Sequence, residues 1–346
     1  MNTRCGIQRQ SIGHRLNRRS ILTGSMALVS GSLVAPGVVR AQASERIRRI
    51  GYLSGTEMRM RPTLSEALRE LGWIEGRNIT VEAVEGRSFD AQRERAAPLA
   101  KELVAAKVEL IVAVAPAAIR AAIQATSDIP IVMAWWGGPD LVESGLIASY
   151  SRPGGNVTGV DMLLSALDAK RLDVLHQAVP KATKIAVLVH NPQTFEQERP
   201  VVREVARKLG LTLEIVGTRG SSTGYDEAFA AIAHSQCQAL LVLASPIFGR
   251  DRKLIIERAA RANVPAIYAG AADAHEGGLI AYGTTALELD RLVAKQVDRI
   301  LRGAKPGDLP VEQPSRYQLV INLATARTLG LVIPQTLLLR ADQVIE

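Results

Sequence analysis

Four histidines follow residue 43, and none has a partner at a spacing that binds a metal. They are His176, His190, His234 and His275. A zinc-binding helix needs paired ligands on one face, whereas His275 stands before Glu276 and two glycines, in a turn. The same region has no Gly-Lys-Ser/Thr phosphate loop and no Gly-x-Gly-x-x-Gly. We therefore predict no catalytic residue, no metal and no cofactor.

Several acids stand in predicted loops, among them Asp140, Glu143, Asp273 and Glu276. Paired carboxylates could act as a general acid and a general base. Solvated loop acids explain the same pattern without chemistry. We prefer this second interpretation because no phosphate or metal motif accompanies the acids.

Residues suited to a small solute stand where apolar runs end. Hydroxyl groups at Ser54 and Thr56 can hydrogen-bond, and helices that begin after Thr56 and Ala115 offer backbone N–H groups to a carboxylate. An indole supplies a flat apolar wall or a face for a cation. The predicted ligand-binding residues are Ser54, Thr56, Ala115, Pro116, Trp135, Trp136, His190, Asn191, Ser245, Pro246 and Tyr268.

These residues also have structural alternatives. Ser54 and Thr56 could be turn residues, and His190 could be a hydrogen-bonded histidine at a strand end. Adjacent side chains of an extended chain point to opposite sides. One of Trp135 and Trp136 is therefore expected in the core and the other in the cleft, and alternation alone leaves open which one.

The segments that position these residues are continuous apolar runs separated by amphipathic stretches. Such runs indicate strands covered on both faces, as in a parallel sheet. The predicted strands span 47–53, 79–84, 110–114, 131–134, 184–189, 211–216, 239–243 and 265–269. Because helices separate the strands and the pattern restarts midway, we predict an α/β fold with two doubly wound parallel-sheet lobes.

The rest of the chain does not form a third lobe. It offers one helix over 286–301, a proline-rich passage and a short strand near Leu319. We therefore predict a three-segment hinge, with crossings near 154–160, 277–284 and 306–314. The predicted lobes are 46–157 with 285–311, and 158–284 with 312–346.

The positive charge is concentrated at the N-terminus. Residues 1–43 contain six arginines and no acid, whereas the remaining 36 lysines and arginines nearly balance 34 acids. A nucleic-acid partner requires clustered basic residues, so the near-neutral body argues against one. Cys5 and Cys237 are the two cysteines, which are too few for a metal cluster.

Residues 1–43 are typical of an export signal. Arg18 and Arg19 precede a mildly apolar run over 21–39, and Ala41-Gln42-Ala43 fits a signal-peptidase site. Paired arginines of this kind indicate the twin-arginine route. We predict a periplasmic protein cleaved after Ala43; a retained anchor and the general secretory route are the alternatives.

Four blocks carry a family resemblance: 129–132 (IPIV), 152–159 (RPGGNVTG), 277–283 (GGLIAYG) and 303–314 (GAKPGDLPVEQP), of which the second and the fourth are long and specific. They resemble the ABC-transporter substrate-binding family whose better-known members bind aromatic amino acids. The resemblance implies the type I periplasmic-binding fold and capture of a small solute by lobe closure. It also implies delivery to an ABC permease in the inner membrane. An aromatic or branched apolar amino acid is the expected ligand.

One loop departs from the family pattern. Relatives usually carry Gly-Asp-Pro after the fourth strand, whereas this chain has Trp-Trp-Gly-Gly-Pro-Asp over 135–140. The loop is expected to face the cleft, so the family's ligand contacts there do not transfer to these residues.

Two other functions fit a two-lobed chain. A ligand-sensing module that feeds a signalling receptor would use the same lobe closure. A two-lobed enzyme such as a glycosyltransferase would need a nucleotide or metal site, for which the residues after 43 carry no motif.

We predict that the exported protein begins at Ser44, which the intact mass of the periplasmic protein measures. Replacing both Arg18 and Arg19 with Lys should block export, because the twin-arginine route reads the pair. A full-length cytoplasmic product contradicts cleavage, and unchanged export of the double variant contradicts the route.

Overall fold

The computed structural model describes residues 46–54, 60–85, 89–218 and 220–346, without the side chains of residues 85 and 89–94. The predicted export signal and Thr56 lie outside the described residues. The helices are α1 (Pro62–Glu70), α2 (Phe89–Ala105), α3 (Ala115–Ala125), α4 (Leu164–Ala178), α5 (Phe195–Glu198), α6 (Pro200–Lys208), α7 (Ser222–His234), α8 (Pro246–Arg250), α9 (Arg252–Arg261), α10 (Ala271–His275), α11 (Ala286–Leu301), α12 (Leu323–Thr328) and α13 (Gln335–Leu338).

The first sheet contains five parallel strands in the order β2-β1-β3-β4-β5. They are β1 (Arg48–Ser54), β2 (Ile79–Glu85), β3 (Leu110–Val114), β4 (Ile131–Trp136) and β5 (Val157–Asp161). Helices α1 and α11 pack on one face, and α2 and α3 pack on the other. Both faces are therefore covered, which explains the continuous apolar runs. We call this sheet and its helices lobe 1.

The second sheet contains seven strands in the order β12-β11-β10-β9-β8-β6-β7. They are β6 (Lys184–Val189), β7 (Thr212–Gly217), β8 (Ala239–Val242), β9 (Ala266–Tyr268), β10 (Ile280–Gly283), β11 (Gln318–Asn322) and β12 (Gln343–Ile345). The pair β10–β11 is antiparallel, because the chain leaves the sheet after β10 and re-enters from lobe 1 at the neighbouring position. We call this sheet and its helices lobe 2.

Strand β5 moves the first lobe boundary. The sequence assigned residues 158–161 to lobe 2, but they pair with β4 in the first sheet. Gly159 permits this pairing: its φ is +144°, and a Cβ there would lie 2.2 Å from the Met133 carbonyl oxygen. The chain therefore first crosses between the lobes after Asp161.

Two of the three crossings run side by side. The Asp161 backbone N–H donates to the Glu312 carbonyl (2.9 Å), and the Glu312 N–H donates to the Gly159 carbonyl (2.8 Å). The other crossing joins β10 to α11 through Thr284 and Thr285. The lobes are thus joined by three segments, two of which are hydrogen-bonded to each other.

Helix α11 packs on lobe 1 although it follows the strands of lobe 2. The Thr285 side chain accepts a hydrogen bond from the Glu288 N–H (3.2 Å) and so caps its N-terminus. An apolar stripe through Leu289, Val293 and Val297 is buried against the first sheet. The second crossing therefore delivers the helix that closes lobe 1.

Replacing Gly159 with Ala should lower the free energy of unfolding by roughly 3–6 kcal/mol, because a strained φ and an overlap with the β4 backbone add. Gly210 is the matched control, since its φ is +68° but nothing lies within 4 Å of an added Cβ. Its replacement with Ala should cost about 1–2 kcal/mol. Denaturant unfolding measures both, and equal losses would contradict the close approach of β5 to β4.

Candidate functional site

A direct contact between the lobes lies at the carboxyl ends of their sheets. Arg199, between α5 and α6, donates from Nη1 to the carbonyl oxygen of Gly137, the residue that follows β4 (3.0 Å). In parallel α/β sheets, ligands bind beyond the carboxyl ends of the strands. This contact therefore lies in the cleft where a ligand site is expected.

Arg199 is anchored by Asp168 of α4, which has no exposed surface. The Arg199 Nε donates to one carboxylate oxygen (2.7 Å), and Arg171 donates to the other. Arg171 also donates to the Tyr282 carbonyl in β10 (2.6 Å). A buried carboxylate needs paired charges and satisfied oxygens, and the two guanidinium groups provide both. The network thus connects lobe 2 at the second crossing to Gly137 of lobe 1.

Gly137 permits this close approach of the lobes. A Cβ at this position would lie 2.3 Å from Cδ1 of Leu164, the first residue of α4. A larger side chain would displace Leu164 and move the Gly137 carbonyl away from Arg199. Gly137 therefore lies where the lobes touch.

Trp135 and Trp136 lie on opposite faces of the first sheet. A register shift between Met133 and Trp136, with Trp135 at φ +66°, reverses the strand alternation at this point. Trp135 packs on the same face as Ala134, and Trp136 packs on the face of Met133. Trp136 has no exposed surface, and its Nε1 donates to the Pro139 carbonyl (2.8 Å). Trp136 is thus a core residue, and Trp135 is the half-buried indole at the sheet edge.

The Arg61 guanidinium stacks on the Trp135 indole, with Cζ 3.5 Å from the ring centroid. Arg61 is buried and donates from Nε and Nη2 to Asp290 of α11, the first bond measuring 3.1 Å. The Thr63 hydroxyl donates to the same carboxylate (2.5 Å). Asp290 has no exposed surface, so this pair is enclosed between α1, α11 and the indole.

Two other predicted contacts end strands beside β4. Ser54 is the last residue of β1 and is 4% exposed. Ala115 begins α3 directly after β3, with φ +69°, and no side chain caps this helix. Pro116 follows it and is half-buried. Because β1, β3 and β4 are neighbours, Ser54, Ala115 and Trp135 lie along one edge of lobe 1.

The predicted residues of lobe 2 follow β6 and β8. His190 and Asn191 are half-buried, and the Asn191 side chain accepts a hydrogen bond from the Gln193 N–H (3.0 Å), which caps a short 3-10 turn. Ser245 is half-buried and precedes α8, whose first residue, Pro246, is exposed. The amide oxygen of Asn191 thus has a structural role.

The structure places Tyr268 in the core of lobe 2 and not at the cleft. Strand alternation turns its ring toward α7 and α9, where it is 3% exposed. Burial, with Asp273 nearby, raises the pKa of its hydroxyl above the usual range. Asp273 accepts a hydrogen bond from the Gly270 N–H (3.0 Å) and caps α10. Its side chain is 13% exposed, so this acid is largely buried and not solvated as expected.

Asp161 is a buried carboxylate at the first crossing. It accepts hydrogen bonds from the Leu163 N–H (3.0 Å) and the Tyr150 hydroxyl (2.8 Å), and no described residue forms an ion pair with it. Burial raises the pKa of Asp161, and the exposed Asp140 adds to the rise. These bonds fix the end of β5 where the chain leaves lobe 1.

Six buried charged residues described above were absent from the predicted site: Arg61, Asp161, Asp168, Arg171, Arg199 and Asp290. Charged residues beside helices usually belong to solvated faces. One signal was available, because Asp290 stands three and four residues before Val293 and Ala294 on the apolar stripe of α11. A charge on such a stripe indicates a buried pair.

Known proteins resemble this chain over most of its length. A tyrosine-binding protein of Clostridioides difficile is 26% identical over 267 residues, which are 77% of this chain and 75% of that protein. An ABC domain from Streptococcus pneumoniae in complex with L-Trp matches with a TM-score of 0.73 and 25% identity, over 86% of this chain and 100% of the other. A conserved domain protein from Vibrio cholerae matches with a TM-score of 0.74 and 24% identity, over 86% and 100%.

The family described as ABC transporter substrate binding protein matches residues 55–345. This span includes all three crossings and the strands of both sheets apart from β1. The match confirms the family resemblance of the sequence blocks, and the solved structures confirm the two-lobed type I fold. The chain therefore belongs to the ABC transporter substrate binding protein family.

Proposed function

We propose that this protein is the exported receptor of an ABC importer and that its lobes close on an aromatic amino acid. The observation that carries the ligand class is the half-buried Trp135 indole at the carboxyl edge of lobe 1. A flat indole favours an aromatic side chain through stacked or edge-to-face contact. The relatives named for tyrosine and for L-Trp support the same class.

The neighbouring groups suit the rest of an amino acid. The uncapped N-terminus of α3, directly after β3, offers backbone N–H groups to a carboxylate. Ser54 ends the adjacent strand and carries a hydroxyl. A ligand held by lobe 1 in this way would lie beneath Arg199, whose bond to Gly137 joins the lobes.

The proposed partner is an inner-membrane permease, and the proposed location is the periplasm. Family membership supports the partner, and the basic and apolar segment 1–43 supports export. Among the described residues, no helix combines the length and apolarity that a membrane span requires.

The ligand class is tested by thermal unfolding of the protein with L-Trp, L-Tyr, L-Phe, L-Leu, a hexose and a nucleoside. We expect the aromatic amino acids to raise the melting temperature most. Saturation at a hundredfold excess over Kd stabilises the folded state by about 2.7 kcal/mol. Stabilisation by the hexose or nucleoside alone would overturn the proposal, and L-Leu above the aromatic ligands would change the ligand class.

Closure is tested by solution scattering, in which ligand should reduce the radius of gyration. Arg199→Met removes the donor to Gly137 and should weaken ligand affinity about tenfold, the scale of one charged hydrogen bond. It should also enlarge the unliganded protein. Arg203→Met is the matched control, because Arg203 lies on α6, which begins directly after Arg199, and pairs with Glu196 at the surface. Equal affinities and radii for the two variants would contradict a role for the Arg199 contact in closure.

A further inference from the structure

Two indole–guanidinium–carboxylate sets lie along α11 in lobe 1. In the first, Arg61 covers Trp135 and pairs with Asp290. In the second, Arg302 lies 5.8 Å from the Trp73 ring centroid and donates from Nε to Asp298 (2.6 Å). Asp290 and Asp298 are both residues of α11. The two sets therefore contain the same three chemical groups.

The sets differ at the indole nitrogen. Trp73 Nε1 donates to Asp298 (2.9 Å), which satisfies both the indole and the guanidinium with one carboxylate. Trp135 Nε1 is buried, and no described residue accepts its hydrogen. The Asp290 oxygens receive Arg61 and Thr63 instead. Of the two indole nitrogens, that of Trp135 is therefore the one without an acceptor among the described residues. A buried N–H without an acceptor is costly.

The position of the Trp135 ring is imposed by its surroundings. A bulky residue at φ +66° is strained, and such residues persist where neighbouring contacts hold them, often at ligand sites. Without the reversal of alternation in β4, Trp135 would point to the face that Trp136 occupies. Arg61 covers one face of the indole, so the strained backbone and the guanidinium together determine where Nε1 lies.

We propose that Arg61, held by Asp290 and Thr63, is a positioning residue that fixes Trp135 so that its Nε1–H donates to an oxygen of the bound solute. This inference rests on the proposed solute-binding function and narrows its ligand class. The solute must present an acceptor oxygen, a carboxylate or a hydroxyl, beside an aromatic or apolar surface. The Arg61 stack is specific to a planar guanidinium, which Lys does not replace.

The test is the proton–nitrogen correlation spectrum of the indole groups, which contains three side-chain signals because the chain has three tryptophans. Trp135→Phe and Trp73→Phe assign the signals. In the ligand-free protein, Arg61→Lys should move the Trp135 signal and leave the Trp73 signal in place. Arg302→Lys is the matched control and should do the reverse. A Trp135 signal that is unmoved by Arg61→Lys overturns the positioning role.

Ligand is then added to the wild-type protein, with L-Tyr, L-Phe and the corresponding carboxamides as probes. Binding should shift the Trp135 proton downfield, as hydrogen bonding does, while the Trp73 and Trp136 signals keep their fixed acceptors. Trp135→Phe and Arg61→Lys should each weaken affinity about tenfold, whereas Arg302→Lys should not. Loss of the shift with a carboxamide assigns the acceptor to the carboxylate, and loss with L-Phe alone assigns it to the phenol oxygen.

The proposed function and the proposed role of Trp135 are contradicted by different results. Binding of an amino acid with no movement of the Trp135 signal overturns this inference and leaves the proposed function standing. No binding of any amino acid overturns the proposed function, and the ligand assignment of Trp135 falls with it. If Arg61→Lys lowers the melting temperature but leaves the Trp135 signal and ligand affinity unchanged, Arg61 is a structural residue only.

Discussion

The cleft depends on how the buried carboxylate of Asp168 is satisfied. A carboxylate with no exposed surface is stable only when charges and hydrogen bonds surround it. Here Arg171 and Arg199 approach its two oxygens, and each guanidinium has further donors to spare. Those donors reach the end of β10 and the Gly137 carbonyl of the other lobe. One buried charge thus fixes the geometry of a crossing and of the contact between lobes.

A second buried carboxylate, Asp290, plays a comparable part inside lobe 1. It lies on the helix that the second crossing returns to the first sheet, and it holds Arg61 against Trp135. The route of the chain therefore has a chemical consequence. Without the return of α11, Arg61 would lack its partner and the indole at the end of β4 would lack its support. Fold and site are connected through this helix.

Much of the fold could be predicted from the sequence because parallel strands and their helices leave strong local patterns. Helix 286–301 and strand 184–189 have the predicted bounds. Where β5 lies, the sequence predicts a glycine-rich crossing, because glycine usually indicates a break. In the structure, Gly159 is instead needed for the close approach of β5 to β4. The strand predicted near Leu319 is β11, but its antiparallel direction could not be predicted, since that direction depends on where the chain re-enters lobe 2.

Less of the site could be predicted, because its geometry depends on contacts distant in sequence. Alternation predicted that the two tryptophans separate, but the register shift in β4 decides which one enters the core. The partner of Arg61 lies 229 residues away. No local pattern joins those two residues, although the acid on the apolar stripe of α11 did indicate a buried pair.

The most direct measurement is a crystal structure of the protein grown with L-tryptophan or L-tyrosine. We predict one ligand between the carboxyl edges of the two sheets, with its ring against Trp135 and an oxygen within hydrogen-bonding distance of Trp135 Nε1. In the same crystal structure, Arg199 should still donate to Gly137. A ligand bound elsewhere, or lobes closed on the ligand with Trp135 turned away from it, would contradict the proposed role of Trp135 in binding.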